Sequence, residues 1–147
     1  MFNKVLVICL GNICRSPMAE GLLKQRLQAS QPTVEVSSAG ISAMVDWPAD
    51  PLARLVMQER GFDISKHRAK QVTPQILLES DLILVMDNQQ LRHITNRMPS
   101  ICGKVHRLGK WDDFDVMDPY GKEKLIFEQV FELIDQGIQG WISKLWN

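Results

Sequence analysis

The chain has 147 residues, with 17 basic and 17 acidic side chains and no formal net charge, which excludes a strongly basic nucleic-acid binder and fits one domain spanning 1–147. Apolar residues at 45% and charged residues at 23% are the composition of a folded globule and not of a disordered chain. No apolar run reaches the ~20 residues a membrane span needs; the start leads into only six apolar residues, Val5 to Leu10, and three cysteines, an odd number, read as reduced thiols, so a cytoplasmic protein without membrane insertion is expected.

Val5-Leu6-Val7-Ile8-Cys9 is a continuous β-branched-rich run, the pattern of a strand buried on both faces. After Gly11-Asn12, Ser16-Pro17 offers an N-cap and a first-turn proline for a helix with Ala19, Leu22, Leu23 and Leu27 on one face. Val34-Glu35-Val36 reads as a short strand, and Asp50-Pro51 caps a helix that stops at Gly61. Thr73-Pro74 opens another short helix. Leu82 to Met86 is a second buried-strand run, Asp87 caps a helix from Asn88 to Asn96, and Val105 to Leu108 is a weaker strand. Phe127, Val130, Phe131, Ile134, Ile138, Trp141 and Leu145 stripe a long C-terminal helix. Gly137 and Gly140 cost that helix ~1 kcal/mol each relative to alanine, with no reason visible in the sequence. Strands alternating with helices predict an α/β fold built on a parallel sheet, with ligands bound where the first strand ends.

The segment leaving that strand is Cys9-Leu10-Gly11-Asn12-Ile13-Cys14-Arg15-Ser16. A loop of this length between a strand and a helix can converge its unpaired N–H groups on one point, and the helix N-terminus adds partial positive charge. Such a cradle binds phosphate. Gly11 and Asn12 tolerate the positive φ angles of a tight loop. Arg15 can fork across two phosphate oxygens. Cys9 would lie at the centre, its thiolate stabilised by the same donors and placed for in-line attack on phosphorus, giving a phosphocysteine intermediate. Ser16 can hydrogen-bond the sulfur. Neither the nucleotide-type Gly-x-x-x-x-Gly-Lys-Ser/Thr loop nor a dinucleotide fingerprint is present. No zinc-type Cys-x-x-Cys pair exists, so neither metal nor cofactor is expected.

The departing oxygen of a phosphate ester needs a proton. Asp118, stiffened by Pro119 and followed by Tyr120-Gly121, is a candidate donor; Asp112, Asp113 and Asp115 compete with it, and spacing alone does not choose among the four.

The run Cys9-Leu10-Gly11-Asn12-Ile13-Cys14-Arg15-Ser16-Pro17 resembles the low-molecular-weight protein tyrosine phosphatases. The likeness continues through Ser38-Ala39-Gly40, His67 to Val72, Val85-Met86-Asp87 and Asp118-Pro119-Tyr120-Gly121. The resemblance implies a four-stranded parallel sheet with helices on both faces and metal-free hydrolysis of phosphotyrosine. In it Cys9 is the nucleophile, Arg15 binds phosphate and Asp118 is the general acid. Asn12 holds the loop in its strained shape, Ser16 bonds the nucleophile, and Ser42 and His67 hydrogen-bond the loop from behind. Cys14 is implied as a partner in a reversible disulfide with Cys9 under oxidation. One substrate wall is implied after Ser38-Ala39-Gly40, including Ile41, Met44 and Trp47, and the other at Tyr120. Gly121, where eukaryotic relatives carry a second aromatic, resembles the bacterial members. Tyr120 is the only tyrosine, so the chain looks like a phosphatase and not a tyrosine-kinase substrate. The analogy implies a phosphotyrosine protein as partner, such as an autophosphorylating tyrosine kinase of exopolysaccharide export, and a monomeric enzyme.

Rival readings share the loop. Arsenate reductases of this fold need two further cysteines, and only Cys102 lies beyond the loop. Protein-arginine phosphatases carry threonine where this chain has Ile13, which favours phosphotyrosine modestly. A non-catalytic phosphate-binding module would lack Cys9 or Asp118, and both are present.

Overall fold

The structure, a computed structural model, describes residues 2–146. Strands β1 (Lys4–Cys9), β2 (Glu35–Gly40), β3 (Leu82–Val85) and β4 (Val105–Arg107) alternate with helices α1 (Arg15–Gln28), α2 (Pro51–Glu59), α3 (Pro74–Glu79), α4 (Asn88–Arg97) and α5 (Lys124–Leu145). The strands form one parallel sheet in the order β2-β1-β3-β4.

Side chains alternate across each strand, so the apolar runs feed two cores. Val5, Val7, Cys9, Leu82 and Leu84 pack with α1, α2 and α5, through Leu22, Leu23, Val56, Phe127 and Ile134 among others. Leu6, Ile8, Ile83 and Val85 pack on the opposite face with Leu77 of α3 and Ile94 of α4. Both faces of the sheet are covered, which explains why β1 and β3 read as unbroken apolar runs. The chain runs from β1 to β2 on one side, and β3 lies on the other. The β1–α1 loop therefore leaves from a reversal of strand order, where open α/β sheets bind ligands.

Several expected boundaries move. β2 begins at Glu35, one residue after Val34, and continues through Ser37, Ser38 and Ala39 to Gly40, well past Val36. Its register with β1 pairs Cys9 with Gly40. A run of small and polar residues carries no apolar signal, yet here it forms the sheet beneath the loop. Met86 and Leu108 fall just outside β3 and β4, and α4 extends to Arg97. Asp50, Thr73 and Asp87 do cap their helices, each accepting a hydrogen bond from a first-turn amide. Ser16 does not: the N-cap position of α1 is Cys14, and Ser16 lies inside the helix with its hydroxyl turned to Cys9.

Gly137 has its reason in the packing of α5. A Cβ there would come within 2.8 Å of the Leu108 carbonyl oxygen, so glycine lets α5 lie against the chain leaving β4. Trp141, one turn on, donates its indole N–H to that same carbonyl at 3.0 Å.

Candidate active site

The loop after β1 is held by its carbonyls. Those of Cys9, Leu10 and Gly11 accept from the amides of Ile41, Ser42 and Met44; that of Ile13 accepts from Asp50, and that of Cys14 from Met18. The Asn12 carbonyl accepts from His67 Nε2 at 2.7 Å, which makes that ring nitrogen the protonated one. Carbonyls tied outward turn the amides inward: among the described residues, the N–H groups of Gly11 to Ser16 have no protein acceptor. Gly40 makes the closure possible, because a Cβ there would sit 2.7 Å from the Leu10 carbonyl oxygen and 3.0 Å from the Asn12 nitrogen.

Asn12 has φ 59° and is fully buried. Its side-chain amide donates to Ser16 Oγ at 2.7 Å and to Ser38 Oγ at 3.0 Å, and its carbonyl oxygen accepts from the Lys70 amide at 2.9 Å. Ser38 in turn donates to Glu20 Oε1, since a carboxylate only accepts. Ser16 Oγ accepts from Asn12 and lies 2.9 Å from Cys9 Sγ, where its proton can be given to an ionised sulfur. The buried Cys9 sulfur thus meets a hydroxyl at the floor of the amide bowl.

Arg15 is buried, and its guanidinium reaches the cavity from the helix side. It donates to the Val116 carbonyl at 2.8 Å and meets Asp87 at 3.4 Å and Asp118 at 3.8 Å. Asp87 also caps α4, so one carboxylate ties the arginine to a helix end. Burial, aided by the charges of Asp50, Cys9 and Asp118, pushes the Cys14 thiol far above its ordinary range, with Arg15 opposing. Cys9 and Cys14 are both free thiols here.

Cys9, Leu10, Gly11, Ile13, Cys14 and Arg15 line a cavity of about 190 Å³ together with Ser42, Met44, Asp118 and Tyr120. Of the four competing carboxylates, only Asp118 faces it. Asp113 and Asp115 accept from Arg107, and Asp112 accepts from Gln136. Asp118 Oδ1 also accepts from the Tyr120 amide at 3.1 Å, which sets the turn around Pro119.

Two expected wall residues lie elsewhere. Ile41 continues the alternation of β2, shares the face of Ala39, and packs into the core under α3 and α4. It lines a separate cavity of about 320 Å³ with Val72, Leu77 and His93. Trp47 is 53% exposed and outside the lining, beyond a turn at Asp46 (φ 67°). Ser42 supports the loop through its backbone N–H and not its hydroxyl; the side-chain support on that segment comes from Gln71, bonded to Ala43 and Ile41. Sequence reasoning missed Ser38, Glu20 and Asp87 as site residues. Ser38 and Asp87 stood in the motifs of the family resemblance, and Asp87 also as a cap, but a buried-network serine and a carboxylate one turn into a helix carry no local signature of a role in the site. Among the described residues, no group of three or more His, Cys, Asp or Glu stands close enough to hold a metal ion, and no helix is long and apolar enough to cross a membrane.

Comparison with known proteins gives a consistent answer. Residues 4–147 match the family model described as low molecular weight phosphotyrosine protein phosphatase. The chain is 48% identical over 145 residues to the probable low molecular weight protein-tyrosine-phosphatase EpsP of Ralstonia nicotianae, covering 99% of this chain and 97% of the relative. The crystal structure of the Erwinia amylovora tyrosine phosphatase AmsI superposes with a TM-score of 0.93 at 38% identity, covering 100% of this chain and 95% of that one. A structure of Vibrio vulnificus Wzb in complex with benzylphosphonate superposes with a TM-score of 0.92 at 38% identity, covering 99% and 100%.

Proposed function

This chain belongs to the low-molecular-weight phosphotyrosine protein phosphatases, and from that premise we propose that Cys9, Arg15 and Asp118 carry the family's cysteine-dependent hydrolysis of phosphotyrosine. The inward amides and Arg15 take the three peripheral phosphate oxygens. Cys9 Sγ attacks phosphorus in line with the ester oxygen. Asp118 gives its proton to the departing phenolate, leaving phosphocysteine. Asp118 then removes a proton from water as that water attacks phosphorus, and the sulfur departs as a thiolate received by the Ser16 hydroxyl. The observation that carries this reading is the buried hydrogen-bond network that runs from Glu20 through Ser38, Asn12 and Ser16 to Cys9. A merely packed strand-end cysteine has no use for a hydroxyl donor oriented by three further residues.

Met44 and Tyr120 flank the mouth and suit an aromatic ring. The benzylphosphonate bound by the Vibrio relative has that shape, an aryl group on a phosphate-like head. The reading extends to a monomer at work in the cytoplasm on a phosphotyrosine protein such as an autophosphorylating tyrosine kinase. This extension rests on the family and on the exopolysaccharide-type names of the relatives. Cys14, sharing the cavity with Cys9, is its proposed disulfide partner under oxidation.

Para-nitrophenyl phosphate turnover by wild type, Cys9→Ser and Asp118→Asn, with a chelator present, tests the roles. Cys9→Ser should be inactive, and Asp118→Asn should lose about 10²–10⁴-fold in kcat on phosphotyrosine, a poorer leaving group, and much less on para-nitrophenyl phosphate. Full activity in Cys9→Ser removes the mechanism. Preference for phosphoarginine over phosphotyrosine peptides would move the chain to the rival specificity.

A further inference from the structure

The cavity of about 320 Å³ that holds Ile41 lies between the end of β2, the start of α3 and the second half of α4. Ile41, Val72, Leu77, Ile94 and Met98 make most of its wall apolar. Its polar groups are few: Gln71 and Thr73 on one side, His93 and Arg97 of α4 on the other. A concave, mainly apolar space with a few polar groups has the make-up of a small-molecule site, and this volume falls at the lower end of the usual range of roughly 300–1,000 Å³.

No carboxylate lines this cavity. Four other cavities on the described residues each include one or more, Glu20, Asp63, Glu79 and Asp118 among them. The segments that form it explain the difference: residues 64–78 and 88–111 contain neither aspartate nor glutamate. The carboxylates between them are engaged elsewhere. Glu79 accepts from Gln75, Asp81 accepts from the amides of Asn3 and Lys4, and Asp87 pairs with Arg15 while capping α4. Asp46, on the segment that follows Ile41, lies beyond Met44 and outside the lining. Among the described residues neither His93 nor Arg97 enters an ion pair, and Arg97 is exposed. The cavity thus offers an apolar floor and an uncommitted guanidinium at its edge.

The wall of this cavity is also the strap that holds the phosphate loop. The Ile41 amide donates to the Cys9 carbonyl at 3.0 Å, and the next amides, of Ser42 and Met44, hold the carbonyls of Leu10 and Gly11. Gln71 clamps the same strap, donating to the Ile41 carbonyl at 2.7 Å and accepting from the Ala43 amide at 2.9 Å. We infer that this cavity is an effector site for a small amphipathic anion, with an apolar body against Ile41, Leu77 and Ile94 and a carboxylate at Arg97, coupled to the phosphate loop through Ile41 and Gln71. An anion in the amide bowl and a ligand against Ile41 load one strap from its two sides. Each therefore changes the affinity for the other by the same factor.

The test titrates naphthoate, an aryl carboxylate, and its uncharged amide, naphthamide, into isotope-labelled protein, with and without vanadate filling the active site. Binding is read from the amide signals of Leu77, Ile94 and Arg97, so a ligand that enters only the active-site cavity is told apart. Naphthoate should shift these signals saturably, with a Kd on the order of 1 mM for its roughly 13 heavy atoms. Naphthamide should bind about fivefold more weakly, as one exposed charge pair allows. Arg97→Gln should weaken naphthoate about fivefold and leave naphthamide unchanged. Arg92→Gln, which removes a base of the same helix from outside the lining, should change neither. Vanadate should tighten naphthoate binding about fivefold, and Gln71→Ala should remove that dependence. Absence of saturable shifts at these positions, equal binding of naphthoate and naphthamide, or an equal loss in Arg92→Gln overturns the anion site. A Kd that vanadate leaves unchanged overturns its coupling to the loop.

Discussion

Asn12 and Ser16 divide one task between them. Asn12 accepts a left-handed backbone that most residues resist and spends every polar atom of its side chain on holding the loop. Its amide holds the Ser16 oxygen in place 2.9 Å from Cys9 Sγ, where the hydroxyl can donate to an ionised sulfur. The hydroxyl matters most when sulfur leaves phosphorus as a thiolate. Ser16→Ala is therefore predicted to slow breakdown of phosphocysteine more than its formation. A rapid-mixing trace should show a full burst of phenolate followed by a steady state slowed about tenfold or more. A proportional loss in burst rate and steady state would assign Ser16 a merely structural part.

At the scale of elements, the segment between β4 and α5 carries Asp118 and is tied down at several points. Arg107, at the end of β4, donates to Asp113 and Asp115, and the Val116 amide donates to the Met86 carbonyl. Hydrogen bonds to these two carboxylates hold the Arg107 guanidinium above even the ordinary arginine range. Because this arginine acts on Asp118 only through the loop, Arg107→Gln should lower kcat by about 10–100-fold for esters with poor leaving groups and much less for good ones. In the Asp118→Asn background it should add little, and independent losses in the double variant would contradict the coupling. Gly137 shows the same dependence of an element on its neighbour. Gly137→Ala sets a methyl carbon 2.8 Å from the Leu108 carbonyl oxygen, so it should destabilise by about 1–3 kcal/mol despite alanine's better helix propensity. Urea melts decide it, and a stabilised variant would mean that α5 shifts freely from β4.

Across the whole molecule, what was legible in the sequence is what lies in one stretch of chain. Cys9 to Ser16 announced the bowl because loop, nucleophile and arginine are contiguous, and the apolar runs announced β1 and β3 because both sheet faces are covered. Glu20, Ser38 and Asp87 meet the loop only through strand order and helix placement, so no spacing rule points to them. Ile41 was misjudged because strand alternation carries it to the far face; Ser16 meets the Cys9 sulfur as read, but it is not the cap, because the helix already begins at Arg15. A global consequence concerns pH. Burial, then Lys110, hold the His106 imidazole below its ordinary 6.5, against Trp141 at a ring separation of 5.5 Å. The unfolded chain takes up this proton more readily than the fold. The stability contributed by His106 is thus whole above about pH 6.5 and declines as pH falls below it. Thermal melts of wild type should lose Tm from pH 7 toward 5.5, and His106→Gln should flatten that slope; an unchanged slope would contradict the assignment. The central claim, that phosphate passes through the Cys9 sulfur, is tested most directly by acid-quenching Ser16→Ala during turnover of an aryl phosphate and locating the phosphate by peptide mass spectrometry. The account predicts phosphate on Cys9 and none on Cys14. Its absence from the chain, or its appearance on any other residue, would contradict it.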